Sequence, residues 1–568
     1  MSKKIVPLLL LMDGLALASA AIFAHQLGID PSAGWGRSRY AMLAGALILL
    51  AGAAYLLSPR AKETKLGAWL IESERIKIFA PLAHLWVVII LIYAWFVTFG
   101  NMTTWNHTSQ YYQRLADAFA KRQLYVGVNP GKALLDAPDP YDPQSRGAFQ
   151  DEIWDMSYYD GKLYYYWGPI PALMILPLKF FLDKKITDNY LVFIFSVGIL
   201  IFNSLILFKL WRRFFVNISM MQVFIAITLT GLSLPILWGL SVPYVYEAAI
   251  GASQLFMMGG LYFTFGAVEN NPSQNKNLFL AGLFWACAVS ARAINALPVI
   301  LLTLFISYWI LKDSPRPTQW TRYTRILASL YIPLIVGAML IGWYNWARFD
   351  SPLEFGLRYQ ITTFNLNAKT NLIFHPSYFF LNLYAYLLQP FALISKFPFL
   401  QPVIFSSALH ENGIAQPGIY YAGRLTGLIV SAPFLILGLI PLRAKKGFAP
   451  AHLSAPEAGQ PYRRVVTLLA CSFLTSFITI LFYFTAQERF LVDTISQITL
   501  LAILGYWTVL TRAQVSPSAR SRLFVILAQT LLVFTICASL LLAVSSETNR
   551  IETLNPQLFE KINTLFGR

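Results

Sequence analysis

The feature that most constrains this chain is the recurrence of long apolar runs. Thirteen of them, at 5–25, 39–57, 80–99, 190–208, 218–240, 245–268, 277–291, 295–311, 325–345, 425–442, 465–484, 491–510 and 523–544, approach the ~20 residues that carry a helix across a bilayer. Only 12% of the 568 residues are charged, about half the usual share of a soluble globular protein. That leaves too little polar surface to cover a body of this size in water. The hydrophobicity excludes a disordered chain. Three cysteines, all inside apolar runs, exclude a disulfide scaffold. The expectation is an all-α polytopic membrane protein with about 13 transmembrane helices in a single transmembrane domain over 1–568.

Lys and Arg in short loops orient the spans. With the N-terminus inside, Arg60, Lys62 and Lys65, then Lys209, Arg212 and Arg213, then Arg322 and Arg325, and the loop 443–464 all fall on one side. The formal charge of +17 thereby sets topology and implies no nucleic acid. The tail 545–568 then lies outside. The first run is too long, and too weakly followed by small residues, for a removable signal peptide. Residues 168–182 (GPIPALMILPLKFFL) are apolar but short and hold three prolines. They are expected to re-enter or lie along the outer surface, because spanning would invert every later loop.

Two stretches are too long to be connectors, 100–189 and 346–424, and both fall outside. Loops on a rigid scaffold carry sites, so function is expected there. Between 101 and 160 stand eight of the chain's 27 acids: Asp117, Asp136, Asp139, Asp142, Asp151, Glu152, Asp155 and Asp160. Carboxylates are costly near a bilayer, so their concentration there suggests work on a substrate. The loop opens with an amphipathic helix over 106–122, whose Tyr111, Leu115, Ala118 and Phe119 share a face. It ends in WDMSYYDGKLYYYWGPIP (154–171), where Asp155, Asp160 and Lys162 stand among Tyr158, Tyr159, Tyr165 and Trp167. Acids that accept from hydroxyls or serve as base, beside aromatics that stack on a ring, suit a sugar. The aromatics fit an interfacial belt equally well. For anion recognition the outer cations are Arg348, Arg358, Lys369, His375, Arg424 and Arg489, each of which could also be a side chain snorkelling at a helix end. Glu488 and Asp493 flank Arg489 in a short turn. Asp13 is the oddity within a span, expected to hydrogen-bond another helix.

In layout, and in the segments YYQRLADAFAKRQLY, YYDGKLYYYWGPIPALMILP, AGLFWACAVSARAINALPVILL, YNWARFDSPLEFGLRYQ, FHPSYFFLNLYAYLLQP and ERFLVD, the chain resembles the GT-C superfamily of polyprenyl-phosphate-sugar-dependent glycosyltransferases. The nearest branch is that of protein O-mannosyltransferases and lipid A aminoarabinose transferases. The resemblance implies a large first outer loop with juxtamembrane helices. It also implies inverting transfer from a polyprenyl-phosphate-sugar donor to a glycan, lipid or protein acceptor, at the extracytoplasmic face of a bacterial inner membrane. Asp155, Asp160, Asp117 and His107 would then be the catalytic candidates. Lys162, Tyr158, Tyr159, Tyr165, Arg348, Arg358, His375 and Arg489 would bind substrate or lipid phosphate. Some relatives use a divalent cation, which an acid-rich loop could hold, but no ligand spacing here argues for a metal. The sequence departs from the family where an acid usually opens the first loop: it reads Trp105-Asn106-His107. Asn106 cannot act as a base, whereas His107 can. Two other classes remain open, a lipid-linked-sugar transporter or flippase and a non-catalytic subunit of a membrane complex.

Overall fold

A computed structural model of the protein describes residues 5–27, 29–30, 32–102, 104–105, 109–146, 153–179, 181, 185–267, 273–313, 320–443, 456–546 and 550–565. Helices dominate, and the only sheets among these residues are two-stranded. Among the described residues ten helices are long and apolar enough to cross a membrane, or eleven if the pair Met220–Gly231 and Leu234–Ser241, bent by 45°, is one span. The expected thirteen therefore shrink. The run at 277–291 forms a helix, Gln274–Ala291, that falls outside the spanning set. The run at 425–442 breaks into Leu428–Ser431, a 3-10 turn Pro433–Gly438 and Leu439–Leu442, because Pro433 and Pro441 interrupt it. Residues Ile170–Leu178 form a nine-residue helix, at about 1.5 Å per residue too short to span.

The chain divides into two compact units. The first comprises Met1–Asn106, Ile394–Phe399 and Val544–Arg568. Its spans Ile5–Ile22, Arg37–Leu57 and Ile76–Val97 leave most of their surface uncovered by protein, as lipid-facing helices do. Asp13 pairs with His84 Nδ1 at 2.6 Å, the helix-to-helix contact its position in a span called for.

The second unit, His107–Leu393 and Leu400–Ala543, carries the long loops. Val245–Ala267 and Glu488–Val515 have the lowest hydropathy of the ten spans and are the most buried, 78% and 94%. Helices shielded from lipid can hold polar groups, and these do so in pairs that act as interhelical glue. Gln254 Nε2 donates to Gln497 at 3.0 Å, and Asn203 Nδ2 donates to Ser496 at 3.0 Å. Close packing is built into the same layer: a Cβ on Gly260 would stand 2.2 Å from the Trp285 ring.

Candidate functional site

Residues Ser157–Tyr159 and Lys162–Tyr164 pair as an antiparallel hairpin with Tyr159 opposite Lys162. Its two-residue turn is Asp160-Gly161, both at positive φ (48° and 71°). Asp-Gly is the preferred dipeptide for such a turn, because both central residues must be left-handed. Asp160, Gly161 and Lys162 are exposed there. Lys162 lies 5.5 Å from the Tyr125 ring centroid. Tyr159 donates to Asp350 at 3.0 Å and packs on Tyr359 and Phe349. The Tyr158 carbonyl accepts from Tyr141 at 2.9 Å. The acid-Gly-Lys segment is thus a turn, placing Asp160 and Lys162 at an exposed tip.

Asp155 is different. The backbone around it pairs with the second long loop: Asp155 N donates to the Ile361 carbonyl at 2.9 Å, Ile361 N to Met156 at 2.8 Å, and Ser157 Oγ to Gly356 at 2.9 Å. This draws the side chain inward, leaving 6% of the residue exposed. Its Oδ1 accepts from Gln360 Nε2 at 2.6 Å, and its Oδ2 accepts from the Tyr246 hydroxyl. Burial pushes the carboxyl up to about 6, while Thr362, Gln360 and Trp154 hydrogen bonds and the charge of Arg489 hold it down. Its φ of 60° is a left-handed conformation that Asp tolerates better than most residues.

Two arginines reach the same place. Arg489 lies over the Tyr246 ring, 4.4 Å from its centroid, with Nη1 3.6 Å from Glu247. Arg292 is ion-paired with Asp493 and lies 5.2 Å from the Phe490 centroid, against which Arg489 also packs at 5.6 Å. Tyr166 and Tyr483 stand within electrostatic reach of these charges. Burial raises Tyr483 to about 12 against the pull of Arg292 and Arg489, with Asp155 adding to the rise. The same three charges act on Tyr166, whose hydroxyl burial raises well above its ordinary value. Behind them stands an aromatic wall. Trp167 packs edge-on against Tyr246 at 5.4 Å and Tyr111 at 5.3 Å, and Tyr111 donates to the Trp154 carbonyl at 3.0 Å.

The remaining predicted residues take supporting positions. Tyr165 is buried behind the wall against Tyr111 and Trp167. Arg348 is buried and spends its guanidinium on the carbonyls of Tyr165 (2.6 Å) and Tyr344 (3.2 Å) and on Asn345 (2.8 Å). Arg358 pairs with Glu354 at 2.9 Å and donates to the Tyr359 hydroxyl at 2.6 Å. His375 caps the turn Pro376–Tyr378 by accepting from Ser377 N at 3.2 Å. Asp117 is taken up by Lys179. His107 lies outside the described residues, as do Asn106, Asp151 and Glu152. Among the described residues no three His, Cys, Asp or Glu side chains group to hold a metal ion, and both Asp155 oxygens already accept protein donors.

Sequence reasoning did not bring Tyr246, Gln360 or Arg292 into the site. The available signal was an ionisable residue inside or beside an apolar run, which marks function or a paired partner; Arg292, Glu247 and Asp493 all carried it. Tyr246 and Gln360 carried none. Asp188 was also missed. It accepts from Ser109 Oγ, Tyr111 N (3.0 Å) and Tyr112 N (3.2 Å), and so caps the helix Tyr111–Ala120 that presents Tyr111 to the wall.

No protein-family model matches the chain, and no curated protein does. Among solved structures it is similar to the Archaeoglobus fulgidus oligosaccharyltransferase in its apo form, at 13% identity and a TM-score of 0.45, over 82% of this chain and 56% of that one. The same enzyme tethered to an acceptor peptide containing the NVT sequon matches at 12% identity and 0.41, over 85% and 57%. Archaeal AglB from that organism, in complex with an inhibitory peptide and a dolichol-phosphate, matches at 12% and 0.39, over 82% and 56%. The chain spans little more than half the length of these structures.

Proposed function

We propose that this protein is a membrane glycosyltransferase of the GT-C type that moves a sugar from a polyprenyl-phosphate-linked donor to an acceptor on the extracytoplasmic face, with inversion. The observation that carries the reading is one buried carboxylate, Asp155, held by Tyr246 and Gln360 within the field of Arg489, which shares the Phe490 ring with Arg292. A base works best with a pKa near the operating pH, and a carboxyl at about 6 is largely ionised at neutrality yet more basic than a surface aspartate. Asp155 takes the acceptor hydroxyl proton as the acceptor oxygen bonds to the anomeric carbon. The bond from that carbon to the phosphate oxygen breaks, and the departing lipid phosphate keeps the electron pair. Arg292 and Arg489 face the charge that gathers on it, and preorganised cations in a site shielded from water stabilise such charge strongly. Tyr166 and Trp167 supply flat surfaces for the sugar.

The bent pair Met220–Gly231 and Leu234–Ser241 favours a second reading, translocation of the lipid-linked sugar, since broken helices are a transporter device. One experiment separates the two. Purified protein in liposomes is given a panel of polyprenyl-phosphate-hexoses with an acceptor extract, and free polyprenyl phosphate is measured. Release that vanishes in Asp155→Asn supports transfer. Movement of intact donor between leaflets without release supports transport instead.

A further inference from the structure

We propose that a second site, a cationic cleft beside helix Tyr111–Ala120, binds the anionic headgroup of a membrane phospholipid. The cleft has a volume of about 450 Å³ and runs between Arg114 and Asp117 on the helix, Lys121 at its C-terminal end, and Gln123 and Asn129 on the returning loop. Positions 114, 117 and 121 share one helix face by their spacing. Lys179, at the end of helix Ile170–Leu178, takes up the Asp117 charge. Asp188 lies within electrostatic reach of Arg114 from the buried side of the helix. Among the described residues, Asp117 is set against Lys179 and Asp188 lies near Arg114, so Lys121 adds the positive charge that draws an anion to the cleft.

Two further observations favour a lipid over a free anion. The helix sits at the mouth of a span: Gln113 accepts from Ile186 N at 3.0 Å, and its cap, Asp188, is the first residue of the spanning helix Asp188–Phe214. That places the cleft at headgroup depth. Directly beside it, the helix ending at Lys179 exposes Leu173, Met174 and Leu178, with Phe181 just beyond. A phospholipid uses both halves of this surface, phosphate in the cleft and acyl chain along the apolar strip, whereas inorganic phosphate has no use for the strip. The cleft does not involve Asp155 and does not depend on the transfer reaction.

The test uses the full chain in phosphatidylcholine nanodiscs, titrated with phosphatidylglycerol and read by native mass spectrometry and thermal shift. Phosphatidylglycerol should bind in preference to phosphatidylcholine. Lys121→Gln should weaken it about fivefold, the equivalent of the roughly 1 kcal/mol that one basic residue contributes at an anionic surface. Arg122→Gln, at the neighbouring exposed position, should change it by less than twofold, and the double variant Leu173→Ser/Leu178→Ser should weaken it without affecting the melting temperature in phosphatidylcholine alone. Equal binding of the two lipids, or equal loss in the 121 and 122 variants, overturns the proposal. Displacement of the lipid by millimolar inorganic phosphate overturns the lipid assignment and gives the cleft to a soluble anion.

Discussion

Asp155 and Asp160 stand five residues apart in one acid-rich stretch, and the fold treats them in opposite ways. Both adopt positive φ. Asp160 does so as the first residue of a tight turn, exposed at a hairpin tip. Asp155 does so where the first long loop pairs with the second, buried under Tyr246 and Gln360 with Arg489 nearby. A short polar residue that tolerates the left-handed region serves equally well as turn former and as site residue. What separates the two is the tertiary partner, brought by residues 91 and 205 positions away in the chain.

The sharpest break of this comparison is to neutralise each acid in turn. Asp155→Asn should lower release of polyprenyl phosphate by 10² to 10⁴-fold, the usual worth of a general base, while Asp160→Asn stays within about threefold of wild type. A larger loss at 160 than at 155 would reverse the assignment of the site. Stability should move the other way. The folded carboxyl titrates near 6 rather than 3.8, so its charge burdens the fold above that range and not below. At 1.36 kcal/mol per pH unit the burden is up to about 3 kcal/mol. Asp155→Asn should therefore melt at or above wild type at pH 8, with the advantage fading by pH 4.

Cations sharpen the same contrast. Arg489→Gln removes a guanidinium facing the site, and loss of one such preorganised donor costs about 10² to 10³ in turnover. Lys162→Gln removes one that stands at the exposed hairpin tip over Tyr125, and should leave turnover within about twofold, measured by the same release assay.

This contrast also marks how far the amino-acid order could be read. The class and the helical architecture follow from run length and charge scarcity, which act locally. Glu488-Arg489 and Asp155 were legible as charges placed where charge is costly. The roles of Arg348, Arg358 and His375 were not: Arg348 is taken up by the Tyr165 carbonyl 183 positions away, Arg358 by the nearby Glu354 and Tyr359, and His375 by the Ser377 amide, pairings that composition does not distinguish from a snorkelling cation. Tyr246 and Gln360 were illegible for the converse reason: a tyrosine at the start of an apolar helix and a glutamine in a loop are ordinary until a carboxylate folds onto them. Span counting failed at 277–291 and 425–442, where an apolar run near the threshold met polar ends in one case and prolines in the other.

The hydrogen bond from Tyr246 offers a subtler probe. A donor to the charged carboxylate favours ionisation, so removing it in Tyr246→Phe should raise the Asp155 pKa further. The wild-type rate should fall about tenfold per pH unit below about 6, because the base must be ionised to accept a proton. In Tyr246→Phe that acid limb should move to higher pH, while in Asp160→Asn it should stay in place. A limb that shifts in neither variant would separate the titration from Asp155.

The smallest effect tests the hairpin tip alone. Gly161 holds φ at 71° with no atom within 4 Å of where a Cβ would stand, so Gly161→Ala meets no clash and pays only for the left-handed backbone, roughly 1 kcal/mol. The melting temperature should drop by about one degree, and release of polyprenyl phosphate per folded molecule should not change. The turn would then be a device for closing two strands, with its acid and lysine incidental to transfer. If instead turnover falls while the melting temperature holds, the tip reaches the substrate. The division between the buried acid and the exposed one would then give way to a single site closed over the sugar by the hairpin.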